Sequence, residues 1–294
     1  MKVLITGGSG FIGRHLIARL SGRHELFAIV RDQHQVATRA AVTPVVWDLA
    51  RPLDHNLLPS EIDVIIHLAQ ANVLFPDSAG EMFAVNTVST QQLLDYGRSA
   101  GARRFILASS GDVYGRRTAI CRESDDARPA SYYAVTKYAS ELLAIAYSQF
   151  LQPCILRFFH PYGSGQAGRL IPKLAARLRL GEPVKVNNEG GPRLSPIFID
   201  DLCRAVELTL ASSYCGVLNI AGERVISMQV LADEIGRVLD IKPAFESSGD
   251  EALDISGDNS LMTRVLGSWS MVGLADGLSH ALRDGEGTGW ETDL

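Results

Sequence analysis

Tyr133 and Lys137 stand four residues apart in Ser131-Tyr132-Tyr133-Ala134-Val135-Thr136-Lys137, a spacing that places two side chains on one face of a helix. An ammonium group beside a phenol stabilises the phenolate and draws its pKa from about 10 toward neutrality. Tyr133 could then pass a proton to or from a carbinol or carbonyl oxygen while a bound cofactor carries the electrons. Tyr132 competes for that role, but four residues beyond it stands Thr136. Ser110 ends a predicted strand and can hydrogen-bond the same oxygen from the carboxyl edge of a sheet. Ser110, Tyr133 and Lys137 are the candidate catalytic residues. Because a Tyr–Lys pair at this spacing is common on exposed helices, the assignment depends on what lies upstream.

Upstream is a glycine-rich turn, Thr6-Gly7-Gly8-Ser9-Gly10-Phe11-Ile12-Gly13, directly after a predicted strand and opening a predicted helix. Gly8, Gly10 and Gly13 satisfy GxGxxG, and Gly7, Gly10 and Gly13 the looser GxxGxxG. Missing side chains let backbone N–H groups approach a pyrophosphate, which the helix N-terminus attracts. Gly7, Gly10, Phe11, Ile12 and Gly13 are therefore candidate dinucleotide contacts. An acid ending the second strand would bind the ribose hydroxyls of NAD, but Val30 stands there, followed by Arg31 and Asp32. Arg31 suits a 2′-phosphate, so the sequence favours NADP. NAD remains open if the strand continues to Asp32.

The elements that must hold these groups alternate. Strands are predicted at 3–5, 26–30, 43–47, 62–68, 105–108, 154–158 and 217–220. Helices are predicted at 11–20, 81–100, 131–150, 170–180, 200–211 and 227–239. Such alternation implies an α/β fold, a Rossmann-type doubly wound parallel sheet, with a smaller mixed α/β substrate-binding lobe toward the C-terminal side. The expected division is 1–165, with 195–221 returning to it, for the dinucleotide, and 166–194 with 222–294 for substrate. The loop Asn187-Asn188-Glu189-Gly190-Gly191-Pro192 interrupts the later rhythm, and the polar tail 285–294 is expected to fray.

Composition narrows the function classes. The chain is 46% hydrophobic and 21% charged with a net charge of −5, so nothing in the overall balance points to nucleic acid or an anionic membrane. Four scattered cysteines without a CxxC pair argue against a disulfide framework or a metal site. No apolar run approaches the roughly 20 residues of a membrane span, and MKVLITGG enters a strand with no signal-peptide pattern. A cytoplasmic location is expected.

Taken together, TGGSGFIG (6–13), WDLA (47–50), IIHLAQA (65–71), VNTVSTQQLLD (85–95), ASSGDVYG (108–115), YYAVTK (132–137), LRFFHPYGSGQ (155–166) and FIDDLCRA (198–205) resemble the NAD(P)-dependent epimerase/dehydratase family, the extended short-chain dehydrogenases, most of which act on nucleotide sugars. The resemblance implies that Asp48 and Leu49 lie near the adenine, Ala69 along the cofactor and Asn86 behind its nicotinamide end. It further implies that Tyr133 and Lys137 bind the nicotinamide ribose, and that helices 81–100 and 131–150 form a four-helix bundle in a homodimer.

Departures from the family pattern bear on substrate. His160 replaces the usual Asn after LRFF, and could donate to a phosphate or cap a buried turn. Leu194 replaces an arginine before the Asp-Asp pair, with Arg193 one position early. A C-terminal arginine before Gly249-Asp250 is missing. Asp112 stands where the resembling dehydratases carry an acidic pair, and is read as a strand-end residue bonding to backbone rather than a lone base. Asp112, His160 and Arg193 are the candidate substrate contacts. The expected reaction is NADPH-dependent reduction of a 4-keto-6-deoxy sugar nucleotide. A nucleotide-sugar 4-epimerase with tightly held NAD, a reductase of a non-nucleotide ketone and a non-catalytic cofactor sensor are the alternatives.

Overall fold

A computed structural model describes residues 1–32, 41–187, 190–249 and 254–283. Asn188 and Glu189 of the predicted loop, Asp250 and the tail 285–294 lie outside the described residues. Seven strands form one sheet: β1 (Lys2–Thr6), β2 (Glu25–Val30), β3 (Val42–Val46), β4 (Val64–His67), β5 (Arg104–Ser110), β6 (Gln152–Phe158) and β11 (Gly216–Ile220). Their order is β11-β6-β5-β4-β1-β2-β3, and every neighbouring pair is parallel. β1 thus has β2 on one side and β4 on the other. Strand order reverses there, the place where an open α/β sheet leaves a crevice at its carboxyl edge.

Alternation along the strands builds two cores. Val3 and Ile5 of β1 pack with Leu16, Ile17 and Leu20 of α1 (Phe11–Leu20). Leu4, between them, faces the other layer with Leu93, Leu94, Phe105 and Ala144. That layer contains α2 (Ala79–Phe83), a π-helical segment (Ala84–Val88), α3 (Ser89–Ser99) and α4 (Tyr132–Ala146). The single helix expected over 81–100 is therefore three consecutive helical pieces, and the helix expected to reach residue 150 ends at Ala146. Hydroxyls and an amide seam these elements together. Ser140 Oγ donates to the carbonyls of Asn86 and Thr136 at 2.7 and 2.9 Å, and Thr87 Oγ1 donates to the Thr136 carbonyl at 3.1 Å.

The second half supplies α5 (Leu170–Arg179), α6 (Ile199–Ala211), α7 (Met228–Leu239), α8 (Ser260–Leu266) and α9 (Leu274–Arg283). Its short strands are β7 (Pro161–Tyr162), β8 (Val184–Val186), β9 (Arg193–Leu194), β10 (Ile197–Phe198), β12 (Ile226–Ser227) and β13 (Phe245–Ser247). They pair as β7–β10, β9–β12 and β8–β13, forming the smaller mixed lobe beside the sheet. Among the described residues, no helix is long and apolar enough to cross a membrane.

Candidate active site

A cleft of about 730 Å³ runs along the carboxyl edge of the sheet. At one end lies the turn between β1 and α1. Gly7 has φ +68°, and a Cβ there would lie 2.9 Å from the Ala69 nitrogen; at Gly13 a Cβ would lie 2.0 Å from the Gly7 carbonyl oxygen. Only glycine allows this closeness. Gly10 opens α1 in extended conformation with no side-chain cap, leaving first-turn N–H groups for an anion. Gly7, Gly10, Phe11, Ile12 and Gly13 all line the cleft, as do Asp48, Leu49 and Ala69.

β2 ends at Val30, so Asp32 does not extend the strand. Val30 and Arg31 line the cleft and Asp32 does not. Asp48, on the far side, accepts the Ala50 amide at 3.0 Å.

At the other end Ser110, Asp112, Tyr133 and His160 line the same cleft. Ser110 closes β5, and its Oγ accepts the Asp112 amide at 3.1 Å, capping the short turn that carries Asp112. Ser131 caps α4 by accepting the Ala134 amide at 3.2 Å, which fixes the first turn where Tyr133 sits. Tyr133 donates its phenolic proton to Gln70 Oε1 at 2.6 Å. Tyr132 turns away and stacks on Phe75, with ring centroids 4.8 Å apart.

The electrostatics differ from the sequence expectation. Burial, reinforced by the charge of Asp112, pushes the Tyr133 phenol up, with Ser110 and Arg169 opposing. Lys137 is fully buried, and burial draws its amine down to about 8 against the pull of Glu141. A lysine drawn from bulk water holds its own charge less readily, and desolvation of the phenol outweighs the expected downward pull. The Lys137 Nζ has no hydrogen-bond partner among the described residues. Lys137 does not itself line the cleft, but its orphaned amine lies one helical turn from Tyr133, which does, and is the kind of group a ribose hydroxyl would satisfy. This orphan and the glycine cradle are both features that a bound dinucleotide fits.

Two expected contacts sit elsewhere. Asn86 is fully buried. Its Oδ1 accepts the Ala71 amide at 2.7 Å, and its Nδ2 donates to the Ala71 carbonyl and to Thr136 Oγ1, each at 2.9 Å. Asn86 therefore anchors the loop after β4 to α4 and does not line the cleft. Arg193 is also outside the lining. Its Nε pairs with Asp254 Oδ2 at 2.7 Å, and its guanidinium also bonds the Thr118 carbonyl. Asp112 departs from its expected role. Among the described residues no backbone group bonds its carboxylate, which burial pushes up while Ser110 and Arg169 pull it down.

His160 adopts φ +46°, a left-handed conformation uncommon for residues other than glycine. Its Nδ1 is buried without a partner among the described residues, and burial lowers the imidazole to about 4, so it is neutral at physiological pH. Arg169, just before α5, and Gln70, just after β4, also line the cleft; sequence reasoning passed over both. No local pattern marks either, because each reaches the cleft from a different loop. Arg169 places a cation in the cleft, near enough to Asp112 and Tyr133 to act on both.

Comparison with known proteins agrees with this geometry. The model of the NAD dependent epimerase/dehydratase family matches residues 3–221. A dTDP-4-dehydro-6-deoxy-D-allose reductase from Streptomyces bikiniensis is 28% identical over 81% of this chain and 81% of its own length. The Rhizobium meliloti (strain 1021) protein "Probable UDP-glucuronate 4-epimerase" is 30% identical over 70% of this chain and 67% of its own. Among solved structures, MoeE5 in complex with UDP-glucuronic acid and NAD is 29% identical with a TM-score of 0.84, covering 96% of this chain and 98% of that one. With a match that runs from β1 to the end of β11, the chain belongs to the NAD dependent epimerase/dehydratase family.

Proposed function

We propose that the protein is an NAD-dependent 4-epimerase of a nucleotide-activated sugar. The observation that carries this reading is the likeness to MoeE5 over nearly the whole chain, with both NAD and a UDP-sugar bound in that relative; the Rhizobium relative points the same way. NADPH-dependent reduction of a 4-keto-6-deoxy sugar nucleotide stands second. It is favoured by Arg31 in the cleft and by the Streptomyces reductase, but the likeness to NAD complexes weighs toward the epimerase.

On this reading Gly7, Gly10, Phe11, Ile12 and Gly13 would hold the pyrophosphate, with Arg31, Asp48 and Leu49 at the adenosine end and Ala69 along the cofactor. When bound, NAD supplies reversible two-electron oxidation of the sugar carbon. Lys137 would bond the nicotinamide ribose. Ser110 would hold the reacting oxygen, and Tyr133 would remove its proton and later return it. Asp112, His160 and Arg169 would meet the sugar and its phosphates, and Arg193 would act only indirectly, by fixing the wall. We assign the cofactor to 1–165 with 195–221, and substrate to 166–194 with 222–294.

An epimerase reuses its cofactor, so the purified protein is expected to release close to one equivalent of NAD on denaturation, identified by mass spectrometry. It should then interconvert C4-epimeric UDP-sugars with no added nucleotide. An empty protein that binds NADPH far more tightly than NADH, and consumes it with a 4-keto sugar nucleotide, would instead establish the reductase.

The same reading includes a homodimer. Val135, Leu142 and Ile145 of α4 are 48%, 50% and 47% exposed, an apolar stripe at helical spacing. Packed against the same face of a second copy, it would form the four-helix bundle. Light scattering should give twice the chain mass for the wild type and a shift to monomer for Leu142→Glu. A wild-type monomer at micromolar concentration would end the dimer assignment.

A further inference from the structure

Gln70 stands three residues beyond the end of β4, in the loop that Asn86 ties to α4. Its side chain is exposed within the cleft, and its Oε1 accepts the Tyr133 hydroxyl at 2.6 Å. The amide nitrogen has no partner among the described residues, so the carboxamide can turn about its last torsion without breaking another bond. We propose that Gln70 is a positioning residue for Tyr133, accepting from the phenol while it is protonated and donating to the phenolate once the proton has left.

A phenol that must gain and lose a proton in one cycle is served by such a partner. On the epimerase reading, Tyr133 as phenolate takes the hydroxyl proton when the sugar carbon is oxidised and returns that proton when the ketone is reduced. Gln70 exchanges no proton; it only reverses which of its two ends faces the phenol oxygen. A hydrogen bond to a charged group is roughly twice as strong as one between neutral groups. The turn of the amide therefore stabilises phenolate more than phenol.

That bias opposes the surroundings. Burial and Asp112, on the turn after β5, disfavour the phenolate. Arg169 before α5 and the Ser110 hydroxyl oppose them. Lys137 stands one helical turn along α4 with its amine buried. Glu81 of α2 and His160 after β6 line the same cleft; the imidazole is neutral and the carboxylate adds no help to an anion. Gln70 already stands within hydrogen-bond distance of the oxygen that must change charge.

The inference rests on Tyr133 being the proton carrier, so its test begins with a readout that needs no turnover. Ultraviolet titration of tyrosinate in the NAD-saturated protein, taken as the difference from Tyr133→Phe, follows Tyr133 alone. Gln70→Ala should move that titration upward by roughly half a unit to one unit. Gln70→Glu, which puts a carboxylate beside the phenolate, should move it further. In turnover, the acidic limb of the kcat profile should shift by the same amount with KM within about two-fold, since a charge effect on proton transfer leaves binding nearly untouched. A midpoint that stays in place or falls in Gln70→Ala overturns the proposal, as does an unmoved kcat profile with a raised KM, the mark of a plain substrate contact. If the midpoint rises but no nucleotide sugar is isomerised, the proposal stands and the epimerase reading fails.

Discussion

Tyr133→Phe is expected to lower turnover by about 10²–10⁴-fold, the range for removing a general acid–base, while NAD binding stays within a few-fold of wild type. The side chain is only 8% exposed and packs with Ala71 and Met82, contacts that a phenyl ring preserves. What disappears is one hydroxyl whose partner, Gln70, is itself exposed in the cleft and can turn to water. The stability cost is accordingly about 1 kcal/mol or less, and loss of activity cannot be laid to unfolding. Steady-state kinetics together with the NAD content of the purified variant check both halves. Unchanged turnover would remove Tyr133 from the mechanism. Tyr132 could not replace it without a rearrangement, because it is stacked on Phe75 and does not line the cleft.

Why Tyr133 could be found in the sequence, and Gln70 could not, follows from what each depends on. The glycine turn is legible because its function is a backbone shape: a Cβ at Gly7 or Gly13 would collide with neighbouring backbone, so the residue type itself carries the information. The Tyr133–Lys137 spacing is legible because one helix fixes it. The parallel pairing of the sheet was foreseeable from alternation, since parallel neighbours need a crossover. Gln70 and Arg169 reach the cleft only because two distant loops converge there, and no local pattern encodes that. The same limit explains Arg193, whose counter-ion Asp254 lies 61 residues away. It explains the phenol as well: the effect of a neighbouring cation can be read from spacing, but the burial that outweighs it exists only in the folded protein. The two-residue strands of the smaller lobe are too short to show a period of two.

Glu141→Ala is expected to destabilise the fold by about 3–5 kcal/mol, the range for removing one partner of a buried ion pair. Glu141 and Arg157 are 0% and 4% exposed. The guanidinium donates from Nε at 3.0 Å and from a terminal nitrogen at 2.6 Å to the two carboxylate oxygens, and the Ser109 hydroxyl donates to the same carboxylate. Alanine would leave a buried cation without its carboxylate, against the Tyr114 ring 4.5 Å away. Urea denaturation should show a lower midpoint at unchanged slope. Replacing both partners together, Glu141→Leu with Arg157→Met, should recover most of the loss, because no lone charge remains buried. A small effect of Glu141→Ala would mean that water reaches Arg157. The pair also bears on the site, for Glu141 lies one helical turn beyond Lys137 and helps to keep its amine charged. Lys137 titrates near 8, so it is still largely protonated at neutral pH. In the double variant, where the fold is kept but the carboxylate is gone, that value falls further and the amine loses its proton sooner as pH rises. The alkaline limb of activity should therefore move toward acid in the double variant, which separates the electrostatic role of Glu141 from its contribution to the core.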